Sequence, residues 1–363
     1  MKLLAKEYKR FILYLQIIIV LILVPLVYNF LPMNAKIKTF YIHSSKPKDI
    51  LTTLKNYGYS VTALDRMMLS LQTIPQIGWY TVPKENDGRL SFFTNLHTMK
   101  TDALMNIVIY AGETKEEIAH RLANDMKLNE EKLLEHYNTL SRFKEGDILA
   151  DTYTLARKAN ENATMQYLFN TSSKDMQQFE DKNISIGHKI RTMKELLVIA
   201  SIIQKESNSI SEMPLISAVI HNRLNKNMYL QMDATLNYGS FAHTIVSKHR
   251  IKNDTSLYNT YKHKGLPPHP LSSVTIDALH ATLHPVKKAY LFFMLTPTGA
   301  HTFSETYKGH LEKIATFRQY QAERKRLNNK ENNESNKSNE TNETNVSKDT
   351  DSFVYKSFKK FKI

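Results

Sequence analysis

The chain has 363 residues, 42% of them hydrophobic, which is enough for two modest folded domains or one elaborated one. It carries 49 Lys and Arg against 35 Asp and Glu, a formal net charge of +14 that invites an anionic partner: nucleic acid, a membrane surface or an acidic polymer. Cysteine is absent, which excludes disulfides, thiolate metal sites and a cysteine nucleophile and leaves the compartment open.

Location is written in the first forty residues. Phe11 to Leu31 is an uncharged apolar run of roughly 20 residues, the length that crosses a bilayer core as a helix. Lys2, Lys6, Lys9 and Arg10 precede it with only Glu7 opposing, so the positive-inside rule keeps residues 1–10 in the cytoplasm and translocates the chain beyond Leu31. A cleaved signal peptide is the rival reading. Against it, the run exceeds a usual signal core of roughly 7–15 residues, and Met33-Asn34-Ala35 is a poor cleavage site. Residues 11–32 are therefore expected to be a single-pass anchor.

Residues 36–100 read as a small α/β unit. Phe40-Tyr41-Ile42 is strand-like, Ser44 or Ser45 is placed to cap a helix through Lys48–Leu54, and Gly58 to end it. Trp79-Tyr80-Thr81-Val82-Pro83 predicts a second strand before a turn at Asn86-Asp87-Gly88. Residues 101–189 read as a connecting α/β region. In it, Ile107–Tyr110 is a strand signal, and Thr114-Lys115-Glu116-Glu117 opens an amphipathic helix carrying Ile118 and Leu122, with Leu133-Leu134 further on.

The segment 190–326 carries the densest signals. Thr192 to Glu195 has the capping-box pattern, and the apolar residues Leu196, Ile199, Ala200 and Ile203 share one helical face. Glu206 continues that face at the C-terminal turn. Desolvation and the negative end of the helix dipole both push its pKa upward, as a general acid requires. The same geometry also describes a helix-end Glu paired with a Lys or Arg. A second helix starts near Ser211 and Pro214 and runs to Leu224. The loops Leu230–Gly239, Leu257–Tyr261 and Gly265-Leu266-Pro267-Pro268 hold side chains suited to sugar hydroxyls and sugar faces, and equally to ordinary turn chemistry.

Residues 327–363 form a polar and basic tail. From Asn328 to about Thr350 it has too few apolar residues to repay its ordering entropy and is expected to be disordered. The Asn-x-Ser/Thr triplets starting at Asn333, Asn336, Asn339, Asn342 and Asn345 suit chance in such a composition. Ser352–Ile363 mixes phenylalanines with lysines, as a basic solvated tail or a segment touching an anionic membrane.

Five pieces in order carry a family resemblance: Ala200-Ser201-Ile202-Ile203-Gln204-Lys205-Glu206, Asn222-Arg223-Leu224, Leu230-Gln231-Met232-Asp233, Tyr258-Asn259-Thr260-Tyr261 and Gly265-Leu266-Pro267-Pro268. With Gly146–Tyr153 before them and Gly299–Thr306 after, the chain from about 38 to 325 resembles the endolytic murein transglycosylases (MltG/YceG type). The resemblance implies an α+β protein of the inner membrane: a single N-terminal transmembrane helix, a small LysM-like α/β domain and a larger mixed catalytic domain in the periplasm. It implies cleavage between N-acetylmuramic acid and N-acetylglucosamine within nascent peptidoglycan glycan strands, leaving 1,6-anhydro ends, with Glu206 at the place of the catalytic glutamate. Gln231, Asp233, Asn259 and Tyr261 are the expected substrate-positioning residues. No cofactor or metal is implied, and peptidoglycan synthases are the implied protein partners.

This chain departs from the family pattern at several places. Gln204 stands where an acid is frequent, Ala234 replaces a frequent Pro, His269 a frequent Gly, and Gly309-His310 a common Glu-His. Two other readings of the wall-directed signals remain: a hydrolase with Asp233 as second carboxylate, and a scaffold that binds the wall without cutting it. Nucleic-acid binding is suggested by charge alone, and neither the topology nor an aromatic-basic motif supports it. His243, His249 and His263 lack metal-ligand spacing.

Overall fold

The apolar run that opens the chain forms helix α1 (Lys2–Phe30), and its segment Lys6–Phe30 has a mean hydropathy of 2.7 and the length to cross a bilayer. A membrane anchor and a signal sequence both meet that test. This computed structural model describes residues 2–31, 33, 37–83, 88–183, 192–207 and 209–338, and the chain divides into two compact units, residues 1–185 and 186–363. Asn86 and Asp87 of the expected turn, and the tail from Asn339 onward, lie outside the described residues.

Side chains from Phe11 to Val27 are nearly all exposed, whereas Tyr28, in the last turn of α1, is buried in the core of the first unit. Its hydroxyl donates to Asp65 Oδ1 at 2.6 Å. Arg89 donates to the same carboxylate from Nε at 2.8 Å and from Nη2 at 2.5 Å, and its guanidinium lies 5.7 Å from the Tyr28 ring. Burial pushes the Asp65 carboxyl up, but the hydrogen bonds from Arg89, Tyr28 and the Thr62 N–H prevail and hold it below its ordinary value.

The first unit is α+β, built on two small antiparallel sheets. Strand β1 (Thr39–Ile42), helices α2 (Pro47–Asn56) and α3 (Ala63–Leu71) and strand β2 (Gly78–Thr81) come first, followed by α4 (Arg89–Asn95). The two strands pair from Thr39 with Thr81 to Ile42 with Gly78. The same order then recurs: β3 (Leu104–Val108), α5 (Lys115–Met126), α6 (Glu130–Leu140), β4 (Thr152–Ala156) and α7 (Glu161–Asn183). Here Leu104 pairs with Ala156 and Val108 with Thr152. The connecting region is thus a second copy of the β-α-α-β-α order. The buried Ile50 and Leu54 of α2 match the buried Ile118 and Leu122 of α5 in spacing. Trp79 links the copies, its indole N–H donating to the Thr154 carbonyl at 2.8 Å.

Local signals were met with shifts. Lys46, not a serine, occupies the N-cap position of α2 without a side-chain cap bond, while Ser44 donates to the Asp49 carboxylate at 2.7 Å. Gly58 follows α2 at φ +85, a left-handed turn that glycine adopts without steric cost. At α5 the capping box is complete: Thr114 accepts from the Glu117 N–H, and the Glu117 carboxylate accepts from the Thr114 N–H at 2.9 Å. The strand expected at Ile107–Tyr110 sits earlier, at Leu104–Val108, and Ile109 continues with one bond from its N–H to the Asp151 carbonyl.

The second unit is mostly helical. Helices α8 (Met193–Glu206), α9 (Met213–Asn225) and α11 (Ile276–Leu283) pack together, α10 (Lys248–Asn253) lies on an excursion between them, and β5 (Phe292–Leu295) pairs antiparallel with β6 (His301–Ser304). The expected one-faced stripe of α8 is broader: every residue from Leu196 to Ile203 is buried, so α8 is a core helix covered on all sides. Helix α12 (Tyr307–Ser338) runs past Asn328, where composition predicts disorder.

Candidate active site

Thr192 starts α8, its hydroxyl accepting from the Glu195 N–H at 3.2 Å, and Glu206 is the helix's last residue. After it the chain leaves the helical path, and the Ser207 N–H closes the last turn on the Ile203 carbonyl at 2.9 Å. Glu206 is therefore carried by a rigid buried rod and projects from its end, partly covered. Its Oε1 accepts the Ala234 N–H at 2.9 Å.

Burial raises the Glu206 carboxyl to about 7; the Ala234 N–H opposes this, the neighbouring Asp233 carboxylate adds to it, and the Arg223 guanidinium opposes it. Among the described residues, no Lys or Arg forms the helix-end ion pair that sequence alone allowed; Arg223 acts on Glu206 as a nearby charge. A carboxyl poised near neutrality both gives and accepts a proton, as acid–base work on one bond requires.

The loop that supplies Ala234 is pinned from behind by the loop that supplies Tyr261. Gln231 donates its N–H to the Thr260 carbonyl at 3.1 Å, Met232 donates to Thr260 Oγ1 at 3.1 Å, and the Thr235 and Thr260 hydroxyls lie 2.9 Å apart. Gln231 is exposed and held at φ +49, a left-handed conformation costly for a residue with a side chain. Asp233 is exposed and accepts the Tyr261 hydroxyl at 2.6 Å. Burial and then this bond to Asp233 raise the Tyr261 phenol above the ordinary tyrosine range.

Asn259 behaves differently from the other expected positioning residues. It is fully buried, its amide donates to the Ile251 and Asp254 carbonyls at 3.0 and 2.7 Å, and its oxygen accepts the Tyr261 N–H at 3.1 Å. With those groups occupied, Asn259 holds the loop instead of reaching outward. Of the residues singled out from sequence, the structure brings Glu206, Asp233 and Tyr261 within one electrostatic neighbourhood, with Gln231 on the adjoining turn.

Arg223 was legible only as part of a family segment. It is buried, donates from Nε to the Leu291 carbonyl at 2.7 Å and from Nη1 to the Leu230 carbonyl, and lies 5.4 Å from the Phe292 ring. It thereby ties α9 to both the Leu230 loop and β5 while its charge reaches Glu206 and Tyr261. His310 stacks on Phe292 at 5.3 Å, and burial, then Arg223, lower its pKa. Gln204, where an acid is frequent in the resembling family, accepts from both the N–H and hydroxyl of Thr275, at 3.2 and 2.9 Å, and so fixes the start of α11. The proline-rich loop is tied to α8 through the Leu271 N–H, which donates to the Ser201 hydroxyl at 2.9 Å. Among the described residues, no three His, Asp or Glu side chains are grouped to hold a metal ion.

The profile of the YceG-like family matches residues 41–316. An endolytic murein transglycosylase of Bacillus subtilis is 36% identical over 116 residues, 32% of this chain and 32% of the relative. An endolytic murein transglycosylase of Streptococcus pneumoniae is 31% identical over 182 residues, 47% of this chain and 32% of the relative. The alignments thus span about a third of the length of these relatives, 32% in each. The crystal structure of a yceG-like protein from Listeria monocytogenes superposes with a TM-score of 0.49 at 23% identity, covering 76% of this chain and 97% of that one.

Proposed function

This chain belongs to the YceG-like family, and from that premise we propose that it is an endolytic peptidoglycan lytic transglycosylase with Glu206 as its acid and base. The observation that carries the reading is the Glu206 carboxyl, raised to about 7 at the end of a buried helix and met by the Ala234 N–H. In the first step Glu206 gives its proton to the glycosidic oxygen between N-acetylmuramic acid and N-acetylglucosamine. As a carboxylate it then takes the proton of the muramyl C6 hydroxyl while that oxygen attacks C1, closing a 1,6-anhydro ring. The leaving sugar departs with Glu206's first proton, the second restores the acid, and no water is consumed. A tethered nucleophile supplies much of the acceleration through proximity.

Asp233 and Tyr261 are the groups proposed to orient the sugar beside Glu206, with Gln231 on the exposed turn. Asn259 takes part indirectly by holding Tyr261. We read α1 as an anchor, with the N-terminus in the cytoplasm and the body in the periplasm. The buried Tyr28–Asp65–Arg89 cluster supports this, because cleavage after α1 would strip a core side chain from the first unit. The β-α-α-β order of the first unit supports a LysM-like module suited to glycan, and peptidoglycan synthases are the proposed neighbours of such an enzyme.

The test uses purified glycan strands, the full chain, and the variants Glu206→Gln and Asp233→Asn. The proposal expects anhydromuramyl ends from the wild type, none from Glu206→Gln, and anhydromuramyl ends at a reduced rate from Asp233→Asn. Reducing ends that vanish with Asp233→Asn would turn the assignment to a two-carboxylate hydrolase. Absence of cutting by folded wild-type protein would favour a wall-binding scaffold.

A further inference from the structure

Between the two halves of the candidate site the chain makes a long excursion. It leaves directly after the turn that holds Ala234 and returns at Asn259, and from Asn237 to Tyr258 no residue is fully buried. The base of this flap is firmly tied. Arg250 donates to the Leu236 carbonyl and to the Thr244 hydroxyl, the latter at 3.0 Å, and Asn259 holds the Ile251 and Asp254 carbonyls. The Tyr238 and Tyr258 rings, one on the outgoing and one on the returning segment, stack at 4.0 Å. The rim is different: Ile245 and Leu257 are 69% and 62% exposed, and Phe241, 52% exposed, lies with its ring 3.9 Å from the Arg250 guanidinium. Around them stand cations. From Asn237 to Lys264 the sequence has Lys248, Arg250, Lys252, Lys262 and Lys264 against Asp254 as its one acid.

A substrate-facing flap of purely polar function would have little use for three large apolar side chains presented to water. Exposed aromatic and aliphatic groups interleaved with lysines are instead the composition of segments that lie in a membrane interface, apolar groups at the acyl boundary and cations among anionic headgroups. The same chain supplies the membrane: α1 has the length and hydropathy to span one. Tethering raises the local concentration of headgroups, so that weak contacts suffice.

We infer that the Asn237–Tyr258 flap docks on the anionic bilayer surface, with Phe241 and Ile245 entering the interface and Lys248 and Lys252 meeting lipid headgroups. Docking at the roots of the site would hold Glu206's surroundings close to the membrane, where the proposed cutting would take place. This last consequence rests on the proposed enzymatic function; the docking rests only on the reading of α1 as an anchor.

The absence of cysteine makes the test clean. The Ile245→Cys variant of the full chain, carrying an environment-sensitive fluorophore, is reconstituted in vesicles of phosphatidylglycerol or of phosphatidylcholine. Co-flotation with vesicles reports α1, and the fluorophore reports the flap. The inference expects a blue-shifted emission in phosphatidylglycerol that is reversed by high salt. Adding Lys248→Gln and Lys252→Gln should lower the docked-to-free ratio by roughly fivefold for each cation removed. An emission that stays aqueous in phosphatidylglycerol overturns the inference. So does a shift that occurs only on adding soluble glycan strands, since the flap would then face substrate. Either result leaves the product analysis with Glu206→Gln untouched.

Discussion

Replacing Ala234 by Pro isolates one hydrogen bond to the proposed catalytic acid. The Ala234 N–H is 2.9 Å from Glu206 Oε1 and stabilises the ionised carboxylate. Proline has no N–H, so Ala234→Pro deletes this donor while leaving Glu206, Asp233 and Arg223 in the sequence. A backbone hydrogen bond to a charged acceptor contributes roughly 1.5–3 kcal/mol. Its loss should therefore move the ionisation of Glu206 upward by roughly one to two pH units. The direction is set by which form is stabilised: the bond favours the carboxylate, so removing it favours the acid. In a profile of kcat/KM against pH, the alkaline limb that reports loss of the acid should begin near 7 in the wild type and move up in the variant. Ala234→Gly keeps the N–H and should leave the limb in place. A limb that stays fixed in Ala234→Pro, or moves down, would refute the argument that this N–H sets the acidity of Glu206.

Other consequences concern stability and the neighbouring groups. Burial lifts Glu206 from its ordinary 4.5 to about 7, so the folded protein keeps a proton that the unfolded chain has already lost in that interval. Stability from this group is present below the lower value and is lost as pH rises through the upper one, by up to about 3 kcal/mol. Urea unfolding of Glu206→Gln should lack that decline and make the variant more stable than wild type at alkaline pH. Asn259→Ala leaves two carbonyls and the Tyr261 N–H without their partner, and should cost about 2–4 kcal/mol in the same assay while lowering kcat. Tyr261→Phe removes the 2.6 Å bond to the exposed Asp233, and should lower kcat/KM by roughly tenfold with little change in unfolding midpoint.

Much of the framework could be read from local rules. The apolar run became α1, Thr114 and Glu117 closed their capping box, and the helix ending at Glu206 has its expected bounds, because each depends on residues a few places apart. The repeat in the first unit was harder to see. Its strands are only four or five residues long, and only the spacing of Ile50 with Leu54 and of Ile118 with Leu122 carries it. At the site, Glu206 was legible through the family segment that ends on it, since helix geometry alone equally allowed an ion-paired Glu. The groups that set its chemistry are non-local: a backbone N–H 28 positions away and a guanidinium on the next helix. Asn259 has the residue type of a sugar ligand, and nothing in its neighbours along the chain reveals that the carbonyls of Ile251 and Asp254 occupy it. Ala234 illustrates the converse: its departure from a frequent proline became informative only once its N–H was seen to point at Glu206.

In the proposed reaction Glu206 passes its proton to the glycosidic oxygen and then recruits the sugar's own hydroxyl, with no water in the bond change. Digestion of glycan strands by the full chain in heavy-oxygen water, with mass spectrometry of the new ends, tests it most directly. Anhydromuramyl ends that contain no solvent oxygen are expected from the wild type, and no new ends from Glu206→Gln. Heavy oxygen at C1 of the new ends would contradict it and assign the cleavage to hydrolysis.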